Sequence, residues 1–330
     1  MKKNFLGILL KAGKIKLFSF GHLYRCIEIA KKLKKKFNIL FIINNNQQAK
    51  KILELNKFSY LIYKKLDEKI LLNIFVKAKV KNLIIDLFTF VTQRFINQIK
   101  KKKIKTILLD DFPKRNINAD IVFNYSINKD YKKKYLKSKK VFFGPRYLPI
   151  DFNLNKLRNA SKFKKKIKKI LIFFGGSDIL DLSERYLNIF KNNNNDYKIN
   201  LVLGPGNSIK KYQRLKKNFK CKNIKINYFI KDLNLLIYKS DLIICSGGYT
   251  MYKSLYLKKI CIVIPTSPNE KKIFNYAKKI GIIGNYNFSK NIPYKFINKI
   301  ILDENKRKNI FQKLDKVFNR NSVKNFYNNI

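Results

Sequence analysis

Leu242-Ile243-Ile244-Cys245-Ser246-Gly247-Gly248-Tyr249-Thr250 is the stretch on which the fold turns. An apolar run too short for a helix breaks at a serine and two glycines, and a helical period then runs from Thr250 to Leu257. A strand, a tight turn and a helix follow one another, which is the unit of a parallel α/β sheet covered on both faces. The same pattern stands earlier, where Ile170–Phe174 runs into Gly175-Gly176-Ser177-Asp178.

Outward from these two stretches the alternation continues in both directions. Strands are predicted over Ile199–Leu203, Asn223–Ile226, Ile260–Ile264 and Gly281–Gly284, with helices over Leu182–Lys191, Ser208–Lys217, Asp232–Lys239, Thr250–Leu257 and Glu270–Lys279. Upstream, strands fall on Phe5–Leu10, Ile39–Ile43, Phe58–Ile62, Asn82–Ile85, Thr106–Leu109 and Ile121–Phe123. Between them His22–Lys36, Asp67–Ala78 and Thr92–Lys102 have helical period, with Leu23, Ile27, Ala30 and Leu33 on one stripe. The segment Gly144–Asn153, Pro145 and Pro149 included, breaks both periods and marks a linker. The prediction is two doubly wound, Rossmann-like domains, 1–150 and 151–330, facing a central cleft, with the terminal helices packing back on the first. Asn192–Asn195 is a polar loop.

The chain has 330 residues, 46% of them hydrophobic, enough apolar material for two full cores. Its 74 Lys+Arg against 20 Asp+Glu give a net charge of +54. Such an excess raises the question of a nucleic-acid partner. Only nine of the basic residues are Arg, the residue suited to bidentate phosphate and base contacts, and the lysines are spread along the whole chain. The charge therefore reads as a solvated face that attracts small anions and can rest against an anionic membrane, with no specific nucleic acid as partner. Cys26, Cys221, Cys245 and Cys261 form no CxxC pair and read as reduced core residues of a cytoplasmic protein. The apolar stretch Phe5–Leu10 is too short for a signal sequence, and no run approaches the ~18 residues of a membrane span.

Ligands of doubly wound sheets bind beyond the carboxyl ends of the strands. In the second domain Gly175-Gly176-Ser177-Asp178 and Ser246-Gly247-Gly248 with Thr250 occupy that edge; each serves either a tight strand-to-helix turn or a diphosphate cradle of backbone N–H groups and helix dipole. Neither is a Walker A loop or a GxGxxG fingerprint. Asn269 either caps the helix opened by Glu270 or offers an amide to a ligand oxygen. In the first domain Gly21-His22-Leu23-Tyr24-Arg25-Cys26 opens the first helix. His22, the only histidine, is either a packing residue or a general base at the sheet edge. Asp86, Asp110 and Asp111 close strands at the same edge, and Asp110 or Asp111 could also cap the turn before Pro113. With one histidine no His-based metal cluster exists, and neither metal nor cofactor is expected.

The order of these motifs, Gly21–Cys26, Asp110-Asp111 with Arg115, Ala119-Asp120, Gly144-Pro145 with Tyr147, Gly175–Asp178, Ser246–Gly248 with Thr250, and Asn269, resembles the PseG/SpsG group. These are UDP-sugar hydrolases of pseudaminic acid biosynthesis and their spore-coat polysaccharide relatives, of GT-B fold and similar to MurG-type glycosyltransferases. The resemblance implies hydrolysis of a UDP-linked diacetamido-trideoxy sugar, with His22 activating water and Asn269 acting at the sugar or diphosphate. It places substrate on Gly21, Arg25, Asp86, Asp110 and Tyr147, and the nucleotide on Gly175, Gly176, Ser177, Asp178, Ser246, Gly247, Gly248, Thr250 and Lys253.

Four positions depart from the family's pattern: Gly13 and Phe88 replace an acid and a tyrosine, Glu270 replaces a glutamine, and Lys253 stands where a glutamate holds the ribose hydroxyls. Lys253 cannot accept a hydrogen bond from them. The alternatives are a MurG-like UDP-sugar-dependent glycosyltransferase, a catalytically impaired nucleotide-sugar-binding homologue, and a basic nucleic-acid-binding protein.

Overall fold

The computed structural model describes residues 3–13, 20–87, 90–111, 113, 117–135, 140–151, 153–191, 197–230, 232–285, 294–318 and 322–330. Ser19, Phe88, Arg115, Phe152 and the Asn192–Asn195 loop lie outside the described residues. The chain divides into two compact units, one of residues Met1–Asp151 and Asn321–Ile330, the other of Phe152–Arg320.

The first unit runs β1 (Phe5–Leu10), α1 (Phe20–Leu33), β2 (Asn38–Asn44), α2 (Gln47–Leu55), β3 (Ser59–Tyr63), α3 (Glu68–Lys77), β4 (Val80–Asp86), α4 (Gln93–Lys101), β5 (Lys105–Leu109), β6 (Ile121–Asn124) and β7 (Val141–Phe143). The strands form one sheet in the order β3-β2-β1-β4-β5-β6-β7, and every pair is parallel. The order reverses between β1 and β4, where Leu10 pairs with Asp86. Apolar side chains fill the space under α3 and α4, with Leu71, Phe75, Phe95 and Ile99 fully buried against Leu83 and Ile85. A parallel strand buried on both faces needs no alternation, which is why Leu83-Ile84-Ile85 of β4 is an unbroken apolar run.

The second unit runs α5 (Asn153–Asn159), β8 (Lys169–Phe173), α6 (Leu182–Lys191), β9 (Lys198–Leu203), α7 (Ile209–Asn218), β10 (Ile224–Tyr228), α8 (Leu233–Lys239), β11 (Leu242–Cys245), α9 (Tyr249–Tyr256), β12 (Ile260–Val263), α10 (Pro268–Lys279), α11 (Tyr294–Leu302) and α12 (Glu304–Val317). Its sheet is also parallel, in the order β10-β9-β8-β11-β12, with the reversal between β8 and β11. The last helix, α13 (Ser322–Tyr327), belongs to the first unit, where the Phe326 ring packs tilted against Phe123 at 4.4 Å between centroids.

Among the segments that differ from the sequence prediction, besides the unpredicted α5, are the following three. Gly281–Gly284 is not a strand. Gly281 has φ +70°, and Gly281 and Ile282 donate N–H bonds to Lys278 and Ala277, so the glycine closes α10 in a Schellman motif. The apolar residues after it are buried beside β12, whose outer edge is occupied by the Asn285 side chain bonded to both backbone groups of Val263. The helix α2 is hidden by its polar opening; Asn46 caps it by accepting from Ala49 N at 2.9 Å, and only Ala49, Ile52 and Leu53 are buried. The short β7 is masked by the lysines before it.

Candidate functional site

In the first unit the reversal point brings α1 against the end of β4. Asp86, 2% exposed, accepts from His22 Nδ1 at 2.6 Å, from Arg25 Nη2 at 2.5 Å and Nε at 3.0 Å, and from the Cys26 thiol at 3.3 Å. His22, Arg25 and Cys26 lie on the first two turns of α1, at i, i+3 and i+4, which puts them on one face. Burial alone would raise the Asp86 carboxyl, but the Arg25 guanidinium and His22 outweigh it and hold the group well below the ordinary carboxylate range. Burial pushes the Cys26 thiol well up, so it stays a donor. An ionised carboxylate only accepts, so the short His22 contact places the ring proton on Nδ1 and the acceptor lone pair on Nε2. A histidine oriented by a buried carboxylate has the geometry to act as a general base for an O–H group.

Arg25 is itself 2% exposed. Burial works against its charge, but Asp111, Asp86 and Tyr125 outweigh that and raise it well above its ordinary value. Its Nη1 donates to Asp111 Oδ2 at 2.5 Å and to the Tyr125 hydroxyl, which donates in turn to Asp111 Oδ2 at 3.0 Å. The sequence points to Arg25 and Asp86 as substrate contacts; the structure turns both inward, onto each other and onto His22. Asp110, 7% exposed, is likewise committed, its carboxylate accepting from the Tyr135 hydroxyl at 2.9 Å. The acid that joins the His22 cluster is Asp111. Tyr147 packs with Phe142 at 5.2 Å and Phe123 at 6.3 Å, under Arg146. Gly21 is the second residue of α1.

In the second unit the reversal point brings the two glycine loops together. Gly175 has φ +77°, and a Cβ there would lie 3.7 Å from Ser246 Oγ. The Gly175-Gly176 turn has a second neighbour absent from the sequence reading, the loop Gly204-Pro205-Gly206-Asn207. Gly206 N donates to Gly176 O at 2.7 Å, and a Cβ on Gly204 would stand 2.4 Å from Gly175 O. Two backbones meet there with no room for a side chain.

The helix termini at this edge are unequal. Asp178 closes α6 by accepting from Leu182 N and Ser183 N at 2.9 and 3.1 Å, and it also holds Lys211 Nζ at 2.8 Å. The α6 terminus is therefore filled by the chain's own carboxylate and is closed to a phosphate, which corrects the anion-binding role read for Asp178. Ser208, Asp232 and Ser267 cap α7, α8 and α10. Ser267 rather than Asn269 is the cap of α10; Asn269 is its second residue, half-exposed. The helix α9 differs: its cap position is Gly248, which has no side chain to cap with, and its first residues Tyr249 and Thr250 are half-exposed. Ser177 Oγ, in the adjoining loop, is buried with no partner. A helix end without a side-chain cap, beside an orphaned hydroxyl, suits an anion that brings acceptor oxygens.

Two charged side chains flank this terminus. Lys253 is 6% exposed, its Nζ donating to Asn234 Oδ1 at 3.0 Å and lying 4.8 Å from the Tyr249 ring centroid. Glu270 accepts from Thr266 N at 2.7 Å, from Thr266 Oγ1 at 2.9 Å and from the Gly247 N–H; burial raises its carboxyl above the ordinary range against these bonds. Asn234 and the Gly204 loop escape sequence reading, although Gly204 and Gly206 are visible as glycines directly after a strand. Among the described residues no group of three or more His, Cys, Asp or Glu is placed to hold a metal ion, and no helix is long and apolar enough to cross a membrane.

Both units are Rossmann-like parallel sheets wrapped by helices, and the fold is that of GT-B glycosyltransferases. Acinetobacter baumannii MurG superposes with a TM-score of 0.65 at 13% identity, covering 100% of this chain and 99% of that one. Phytolacca americana UGT2, complexed with UDP-2fluoro-glucose and pterostilbene, also gives 0.65 at 12% identity, over 96% and 94% of the two chains. Residues 170–328 match the family model of the Glycosyltransferase family 28 C-terminal domain. The uncharacterized protein MJ1062 of Methanocaldococcus jannaschii is 32% identical over 281 residues. That alignment takes in 79% of this chain, which spans only about half of that relative's length, 56%.

Proposed function

We propose that the chain is a UDP-sugar-dependent glycosyltransferase. The observation that carries the reading is the N-terminus of α9, which has no side-chain cap and lies within the stretch that matches the family 28 C-terminal domain. In this reading the second unit holds the donor's diphosphate on the first N–H groups of α9, with Ser246–Gly248 and Gly175-Gly176 close around it and Ser177 supplying a hydroxyl. Developing charge on the departing UDP is then stabilised by dipoles already in place. The first unit supplies the base: an acceptor hydroxyl gives its proton to His22 Nε2 while Asp86 stabilises the imidazolium that forms. Lys253 adds a cation at the same terminus, where the family resemblance has an acid; this favours phosphate oxygens over ribose hydroxyls as its contact.

The His22–Asp86 pair activates water as readily as an acceptor hydroxyl, which keeps hydrolysis of the UDP-sugar as the second reading, the one favoured by the PseG/SpsG motif order. The test is UDP release from a panel of UDP-sugars, with and without polyprenyl-linked and soluble glycan acceptors. Release that depends on acceptor and is lost in His22→Ala, with UDP still bound, is the expected result. Acceptor-independent release selects the hydrolase, and absence of UDP binding overturns both.

A further inference from the structure

The Nδ1 atom of His22 has two suitors that require opposite protonation. Asp86 Oδ1, at 2.6 Å, accepts and needs the proton on Nδ1; Arg25 Nη2, at 3.0 Å, donates and needs a lone pair there, which sends the proton to Nε2. Only the first tautomer leaves Nε2 able to take a proton. What decides between them is where the Arg25 guanidinium is held.

Its anchor on the far side is Asp111. Both donors that reach this carboxylate, Arg25 Nη1 and the Tyr125 hydroxyl, converge on Oδ2, while Oδ1 is buried without a partner. Leaving a buried carboxylate oxygen unbonded is costly, so the group is kept for the one charge it engages, that of Arg25. With the fork spread between Asp86 and Asp111, both arms of the guanidinium point at carboxylates. Loss of Asp111 strips Nη1 of its charged partner and lets the guanidinium swing toward Nδ1.

We propose that Asp111 is a positioning residue that, through Arg25, holds the proton of His22 on Nδ1 and so keeps Nε2 as the base. The proposal deepens the role given to His22 above and rests on that reading for its catalytic meaning. The tautomer itself is measurable without any substrate.

Because His22 is the only histidine in the chain, two-bond nitrogen–proton correlation spectra of the full-length protein contain one imidazole. They are recorded at rising pH until the ring shows a single nitrogen-bound proton. The expected wild-type spectrum has the proton on Nδ1. In Asp111→Asn the ratio moves at least about tenfold toward the Nε2–H form, the scale of one lost charge-assisted hydrogen bond. Asp120→Asn, which removes an equal charge from the Thr106 and Lys100 site, leaves the ratio unchanged. Arg25→Lys lacks the fork and keeps the proton on Nδ1, and adding Asp111→Asn to it produces no further change. A wild-type proton on Nε2, an unmoved ratio in Asp111→Asn, or a shift in the double variant overturns the proposal. If Asp111→Asn does not fold, Arg25→Lys decides, since a proton on Nε2 in that variant is equally fatal. Failure of UDP binding overturns the proposed function and leaves these spectra untouched.

Discussion

Asp86→Asn is the perturbation that separates the His22 cluster from ordinary packing. The carboxylate has four donors around it and is 2% exposed, and its main charge partner, Arg25, is equally buried. Removing one member of a buried ion pair costs about 3–5 kcal/mol, because the other is left without its counter-charge. Asn keeps one acceptor and Asp111 keeps part of the pairing, which brings the expected loss to about 3 kcal/mol. For a unit of this size that is about 6–12 °C in the melting temperature. The pH dependence has a definite sign. The folded Asp86 carboxyl lies below its unfolded value, so its stabilisation is present above about pH 4 and is lost as the pH falls further. Wild type and variant therefore converge in acid and diverge toward neutrality. In turnover, the Asn amide presents a donor to Nδ1 and favours the Nε2–H tautomer, for a loss of about 10⁴ in kcat. Calorimetric melts between about pH 3 and 8, beside UDP release from a UDP-sugar, measure both. A melting shift under about 2 °C at neutral pH, or one that does not shrink in acid, refutes the buried-pair argument; turnover within about tenfold of wild type refutes the base.

Gly204→Ala places a Cβ 2.4 Å from Gly175 O and 2.6 Å from Gly176 Cα, both backbone atoms that cannot step aside singly. It is expected to cost about 3 kcal/mol or more in denaturant unfolding of the second unit and to weaken UDP binding by calorimetry, with the first unit's melt unchanged. Glu270→Gln keeps the bonds to Thr266 but removes a negative charge from the edge of the α9 terminus. At an effective dielectric of about 40 and a separation of about 6 Å this strengthens UDP binding about tenfold near pH 7.5, and the gain fades as the pH falls and wild-type Glu270 takes up its proton. Lys259 is 9% exposed, and burial brings its ammonium down to about 8. The unfolded chain stays protonated to about 10.5 while the folded one does not, so stability rises by about 3 kcal/mol between these pH values. Lys259→Met is expected to stabilise the protein at about pH 7 in urea titrations and to give no gain above about pH 10.5.

The two units and their strand-to-helix turns were legible because a parallel strand buried on both faces is an unbroken apolar run and its turn needs glycine. No ambiguity between strand and helix arises at Leu242–Cys245, where the run is short and the glycines follow at once. What misled was composition of another kind. Gly281–Gly284 has the same short apolar look as a strand, but its glycine adopts φ +70° to stop a helix, and the edge of β12 is met by one backbone bond, Gly284 N to Cys261 O, and by the Asn285 side chain. A glycine that ends a helix and a glycine that ends a strand look alike in one dimension.

Site residues follow the same division. His22 and the Ser246–Gly248 loop could be singled out because position at the sheet edge follows from the strand pattern. Whether a charged residue there faces a ligand or another residue does not. Asp178 looked like part of an anion cradle and is instead the anion already in it, bonded to two N–H groups and Lys211. Asp110 and Asp111 are adjacent and chemically identical, yet one is tied to Tyr135 and the other to Arg25, because successive residues beyond a strand point to opposite sides. The net charge of +54 is of no use in this choice, since the lack of a side-chain cap, not a lysine count, distinguishes α9 from its neighbours. Candidate anion sites in a basic chain are best sought where the chain has left a terminus uncapped, because wherever it supplies its own carboxylate the ligand is already replaced.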